Sequence, residues 1–74
     1  MKLNEMRASM RGTVKDLGKD ERFLRRIMSV GLTEGVVLQV IKNDKRMPVL
    51  LYVRETLLAL NRKDCEKIEV EVEV

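Results

Sequence analysis

From Gly35 to Val74, apolar side chains fall on alternate positions in short runs, and the breaks between runs are too short for a crossover helix. Parallel strands need a connection of about a dozen residues or more, so the runs must pair antiparallel. In Val36–Lys42, Leu38 and Val40 share one side and Gln39 takes the other. Pro48, which has no N–H to give a ladder, opens the next run. There Val49, Leu51 and Val53 share one face, while Leu50, Tyr52 and Arg54 share the other. Arg54-Glu55 forms a tight connection into Thr56–Leu60, where Leu58 and Leu60 point one way and Leu57 and Ala59 the other. The segment Ile68–Val74 alternates apolar residues with glutamate throughout, the plainest strand pattern in the chain. A polar turn at Asn43–Arg46 and a break at Asn61–Asp64, readable as one helical turn, separate the runs.

The N-terminal half carries a different period. Thr13–Leu17, between Gly12 and Gly18, reads as a further short strand. Lys19–Val30 then places Phe23, Leu24, Ile27 and Met28 on one stripe at helical spacing, which predicts an α-helix at about residues 20–30. Asp20 can cap its first turn by accepting from orphan backbone N–H groups, and Gly31 stands where a left-handed residue ends a helix. The expected fold is mainly β, a small barrel of about five strands with one helix, in a single domain spanning residues 1–74. Strands this short must curl to hide their edges. The inward residues, among them Val14, Leu24, Ile27, Leu51, Leu58 and Val70, are expected to be buried.

Composition narrows the chemistry. With 45% apolar residues, the 74-residue chain has enough core formers to fold rather than stay disordered. It has no His and one Cys, Cys65, so neither an internal disulfide nor a Cys–His nucleophile pair can form. No catalytic residue and no cofactor are expected, and Cys65 reads as a small semi-buried side chain. Transition-metal sites commonly draw on imidazole, and without His a stable metal site is not expected. Gly31–Gly35 lacks the Lys-Ser/Thr pair of a phosphate-binding loop. No apolar stretch approaches the roughly 20 residues of a membrane-spanning helix, and no signal peptide is visible, so a cytoplasmic protein without membrane insertion is expected.

The net charge of +3 lies entirely in residues 1–37, where Lys19, Arg22, Arg25 and Arg26 cluster. Such a patch can attract nucleic acid, although Phe23 and Tyr52 are the only aromatic residues and no base-stacking platform is apparent.

Several segments together resemble the FeoA family, the ferrous iron transport protein A domain. Arg26-Ile27-Met28-Ser29-Val30-Gly31-Leu32-Thr33-Glu34-Gly35 resembles the family's helix end and turn, L-x-x-L-G-L-x-P-G. The segment from Arg46-Met47-Pro48-Val49 through Arg54-Glu55 to Leu60-Asn61-Arg62 resembles its G-D-P-[IV]-x-[VI]-x-[VL]-R-G-x-x-[IL]-A-L-R signature. Cys65–Glu71 is similar to the ending A-x-x-I-x-V-E, and Arg11-Gly12-Thr13-Val14 to the first strand. Three departures fall in loops: Glu34 stands for Pro, Arg46-Met47 for Gly-Asp, and Glu55 for a turn Gly.

The resemblance implies an SH3-like barrel that associates with a ferrous iron permease through the permease's cytosolic GTP-binding part. The same fold occurs as the C-terminal domain of iron-dependent repressors. The function expected from it is regulation of ferrous iron uptake by protein–protein contact. The alternatives are a nucleic-acid-binding SH3-like barrel and an effector-sensing domain related to those repressors. The residues expected to carry contact are Leu50, Tyr52 and Leu57, which form an outward apolar patch unless the helix covers them, with Arg22, Arg25 and Arg26. Met6, Met10 and Met47 could extend the patch.

Overall fold

The structure, a computed structural model, describes residues 1–73. Its elements are a 3-10 turn at Leu3–Glu5, β1 (Arg11–Asp16), α1 (Glu21–Ser29), β2 (Val37–Lys42), β3 (Val49–Val53), β4 (Thr56–Leu60), the one-turn α2 (Arg62–Cys65) and β5 (Glu69–Val72). The five strands form one antiparallel sheet in the order β4-β3-β2-β1-β5. Register shifts interrupt β1–β5 between Val14 and Asp16 and β2–β3 between Val40 and Lys42. Irregularities of this kind bend a sheet, and here the inward side chains of all five strands meet in one core. Val14, Leu38, Val40, Val49, Leu51 and Val70 are its sheet side.

Helix α1 begins and ends where its capping residues dictate. The Asp20 carboxylate accepts from Arg22 N at 3.0 Å and Phe23 N at 3.3 Å. At the other end Gly31, at φ 99°, donates to the Met28 carbonyl, and Leu32 donates to that of Ile27. This is a Schellman closure, and its hydrophobic partners Ile27 and Leu32 are both buried in the core.

The helix stripe is narrower than its spacing predicts. Phe23 and Ile27 are buried, Leu24 is only half-buried, and Met28 is exposed. A nine-residue helix lying on a small sheet presents little more than one i, i+4 pair to the core. Leu58 also stays half-buried, because β4 is the last strand of the sheet and has no neighbour beyond it. The first strand starts two residues earlier than its β-branched residues suggest and excludes Leu17, which is buried after the strand ends. Strand β5 ends at Val72, and Val74 lies outside the described residues.

The first ten residues complete the core. Leu3 and Met6 are buried, and Met10 packs against the same cluster. Met6 and Met10 are therefore core, and neither belongs to an outer patch. Leu3 N donates to the Ile68 carbonyl, and Lys2 bridges antiparallel to Glu69, so this segment lines the outer edge of β5.

Candidate partner-binding surface

The alternation of β3 and β4 sends Val49, Leu51, Val53 and Leu60 inward and leaves Leu50, Tyr52, Leu57 and Ala59 on the opposite face. Register aligns this outer set across strands. Arg11 of β1 stands opposite Gln39 of β2, Gln39 opposite Tyr52 of β3, and Tyr52 opposite Leu57 of β4. A second row runs from Lys42 through Leu50 to Ala59. Helix α1 does not cover these residues, since its stripe is turned into the core. Leu57 is 61% exposed and Tyr52 41%, and Leu50 is half-buried.

Two shallow grooves flank Tyr52 and Leu50. One is lined by Arg11, Val37, Gln39, Tyr52 and Arg54, with Leu38 at its floor. The other is apolar, lined by Lys42, Met47, Pro48, Leu50 and Ala59. Met47, Val37 and Ile41 add exposed apolar surface to this side. The outward alternation of β2 holds the signal for Val37 and Ile41, which the patch reading of β3 and β4 alone passes over.

The basic helix divides into two parts. Arg22 and Arg25 are exposed, have no ion-pair partner among the described residues, and with Glu21 border a shallow surface depression. Arg26 borders the same depression and is half exposed, but its guanidinium is tied down at one end. Its Nη2 donates to Asp64 Oδ1 at 2.6 Å, and Asp64 is 5% exposed. The same guanidinium lies 5.6 Å from the Phe23 ring centroid, with Lys67 Nζ 5.1 Å from it, so the ring has two cations for neighbours. The sequence reading groups Arg26 with Arg22 and Arg25, but this arginine joins α1 to α2. Nothing in the local spacing reveals Asp64 as its partner.

Cys65 is fully buried rather than semi-buried, and its Sγ contacts the Leu60 carbonyl at 3.8 Å. Burial is the main cause that pushes the thiol up to about 12, so at neutral pH the group is protonated and a poor nucleophile or metal ligand. Among the described residues no three His, Cys, Asp or Glu side chains gather in a way that could hold a metal ion. No helix is long and apolar enough to cross a membrane.

Comparison with known proteins supplies what the geometry alone does not. A family model described as FeoA domain matches residues 1–72. The crystal structure of an iron uptake regulatory protein (FeoA) superposes with a TM-score of 0.94 at 22% identity, covering 99% of this chain and 97% of that one. The solution structure of the FeoA protein from Chlorobium tepidum superposes with a TM-score of 0.83 at 29% identity, covering 100% of this chain and 71% of that one. A manganese-dependent transcriptional repressor in complex with manganese contains the same fold, with a TM-score of 0.90 at 20% identity over 99% of this chain and 36% of the repressor. A search of curated proteins finds no match.

Proposed function

The chain belongs to the FeoA family, which is involved in ferrous iron transport, and from that premise we propose that it is a cytoplasmic accessory protein regulating a ferrous iron permease by direct contact. The contact is with the permease's cytosolic GTP-binding part and involves no catalysis. The FeoA family and the SH3-like fold are not known as enzymes. Residues 1–74 act as one FeoA-like domain in this reading.

The observation that carries the proposal is the aligned outer face of β3 and β4. Tyr52 and Leu57 sit side by side, exposed, with Leu50 and an apolar groove next to them. A cluster of this kind on a protein of 8.6 kDa is costly to leave in water and marks a site of partner contact. Tyr52 supplies an amphipathic ring suited to a binding anchor, and Leu57 and Leu50 supply apolar area around it. Arg22 and Arg25 contribute a positive potential that speeds encounter with an acidic partner surface.

The test is binding of the purified protein to a permease cytosolic domain and, in parallel, to mixed nucleic acid, each at two salt concentrations. Tyr52→Ala is expected to weaken permease binding by about 2 kcal/mol or more where the ring fills a pocket, with Leu50→Ala and Leu57→Ala acting in the same direction. Arg22→Glu with Arg25→Glu should chiefly slow association and reduce its salt dependence. Nucleic-acid binding that falls steeply with salt, with no permease association, would replace this reading by the nucleic-acid one.

A further inference from the structure

Three cations from three distant parts of the chain meet in one depression. Arg7 follows the 3-10 turn, Lys45 lies in the connection between β2 and β3, and Arg62 opens α2. All three line an open hollow of about 400 Å³, whose other polar residues are Asn4, Glu5 and Asn43. None of the three cations has an ion-pair partner among the described residues. The one carboxylate of the lining, Glu5, already accepts from Lys2 N at 2.9 Å. Like charges gathered without counter-ions repel one another, and a concave surface of one sign concentrates its potential on whatever enters.

Asn43 fixes the walls of this depression. Its Nδ2 donates to the Asn4 carbonyl at 3.0 Å and the Met6 carbonyl at 2.6 Å, and its Oδ1 accepts from Arg62 Nη1 at 2.7 Å. Arg62 Nη1 donates further to the Asp44 and Met47 carbonyls, at 3.0 and 3.2 Å. One nitrogen thus holds the half-buried guanidinium in place, while Nε and Nη2 have no partner among the described residues. That free edge is a planar pair of donors, the geometry that takes two oxygens of one phosphate.

The lining is also incomplete in its own hydrogen bonds. Asn4 Oδ1 is buried with no partner, the one such side-chain atom among the described residues. Buried polar atoms are nearly always satisfied, so an exception beside a polar depression marks a donor that the protein does not itself supply. Hydrogenphosphate brings an O–H donor as well as acceptor oxygens. Its two negative charges also match the lining, where three cations stand against one carboxylate.

We propose that this depression binds a phosphate group, seated on the Arg62 fork with the exposed side chains of Arg7 and Lys45 closing over it. The ligand is a free phosphate ion or the phosphate of an ester, since both present the same oxygens. Bound there, it touches the N-terminal segment, the β2–β3 connection and α2 at once, and by mass action it stabilises the fold. The site shares no residue with the outer face of β3 and β4, so it stands independently of the permease reading.

Inorganic phosphate and, separately, glycerol phosphate are titrated into the full chain at constant ionic strength, read by arginine Nε–H signals in ¹⁵N NMR and by thermal melting. Saturable binding is expected, half-complete below about 1 mM, with the Arg62 Nε–H signal among those that move and a melting temperature that rises with ligand. The tighter of the two ligands tells whether the site takes the free ion or an ester. Arg7→Gln and Lys45→Gln, both at exposed positions, should each weaken binding about two- to fivefold. Arg62→Lys keeps the charge but removes the fork, and should weaken it on the order of tenfold. Lys15→Gln removes the same charge from β1, outside the depression, and should leave the affinity unchanged. Should Arg62→Lys melt early, the Arg7 and Lys45 variants decide the matter by themselves. Titrations that fail to saturate with either ligand, or Arg7 and Lys45 variants that behave like Lys15→Gln, would overturn the proposal.

Discussion

Arg26 Nη2 reaches Asp64 Oδ1 at 2.6 Å and ties α1 to the single turn of α2, 38 residues further along the chain. Asp64 also receives the Asn61 side-chain amide at 3.1 Å, while Asn61 Oδ1 caps α2 by accepting from Asp64 N at 2.8 Å. Arg26→Ala leaves a nearly buried carboxylate with one side-chain donor. The expected cost is about 1–2 kcal/mol, at the low end for a charged partner because Arg26 itself is half exposed. Arg25→Ala, on the exposed side of the same helix, should stay within about 0.5 kcal/mol. Urea midpoints of the two variants separate the structural arginine from the solvent-facing one.

The β3–β4 hairpin turns through Arg54 at φ 49° and Glu55 at φ 64°. Two positive values at the tip are the mark of a type I′ turn, which favours Asn-Gly or Gly-Gly, and side chains here carry steric strain. Glu55→Gly should therefore raise stability by about 0.5–1 kcal/mol, the relief of strain exceeding the extra chain entropy of glycine. A thermal melt at low protein concentration checks the sign, and Glu55→Val should shift it the opposite way.

Gly12 matters for space rather than conformation. A Cβ there would lie 2.5 Å from Val70 Cγ1 and 2.7 Å from the Glu71 carbonyl oxygen. The backbone of β5 cannot retreat without loosening its pairing with β1. Gly12→Ala is expected to destabilise by about 1–3 kcal/mol or more, read as a fall in the denaturant midpoint. Gly18→Ala meets no such contact, and its cost should come from its φ of 76° alone.

Cys65 reports on unfolding. The folded thiol is pushed up to about 12, chiefly by burial, whereas an unfolded one ionises near 8.5. Below the unfolded value both states hold the proton and Cys65 adds no pH dependence. As pH rises through the interval toward 12, only the unfolded state releases its proton, so stability falls. Cys65→Ala should flatten the alkaline limb of the stability profile. Ellman's reagent at pH 8 should label the native protein only at the rate at which it opens.

Much of the fold is legible in the side-chain pattern. Asp20 and Gly31 bracket α1 within a residue, and the period-two runs assign the inward faces of β2, β3 and β5 correctly. Those signals are local, set by backbone hydrogen bonding and by which face meets water. What stays illegible is non-local or aperiodic. Leu3 and Met6 are buried from a 3-10 turn and an irregular segment that repeats no spacing. Leu24 and Leu58 fall short of burial because of what does not lie above them, which no local pattern records. The candidate surface follows the same division: Tyr52 and Leu57 can be paired from alternation alone, whereas the capture of Arg26 by Asp64 needs the tertiary fold.

Strand β1 sits between β2 and β5, so one of its two neighbours is the strand furthest from it along this domain's sequence. Residues 1–3 likewise bond to positions 68–70. On the ribosome these early residues wait for nearly the whole domain before their partners emerge from the exit tunnel. Pairings of such sequence separation are the slow ones in folding. The nascent chain can build the β2–β3–β4 meander first, but it must hold β1 half-paired, with Val14 uncovered, until β5 is free. Folding of this domain therefore waits for β5, and a stall in translation anywhere upstream of that strand would leave Val14 and its neighbours uncovered.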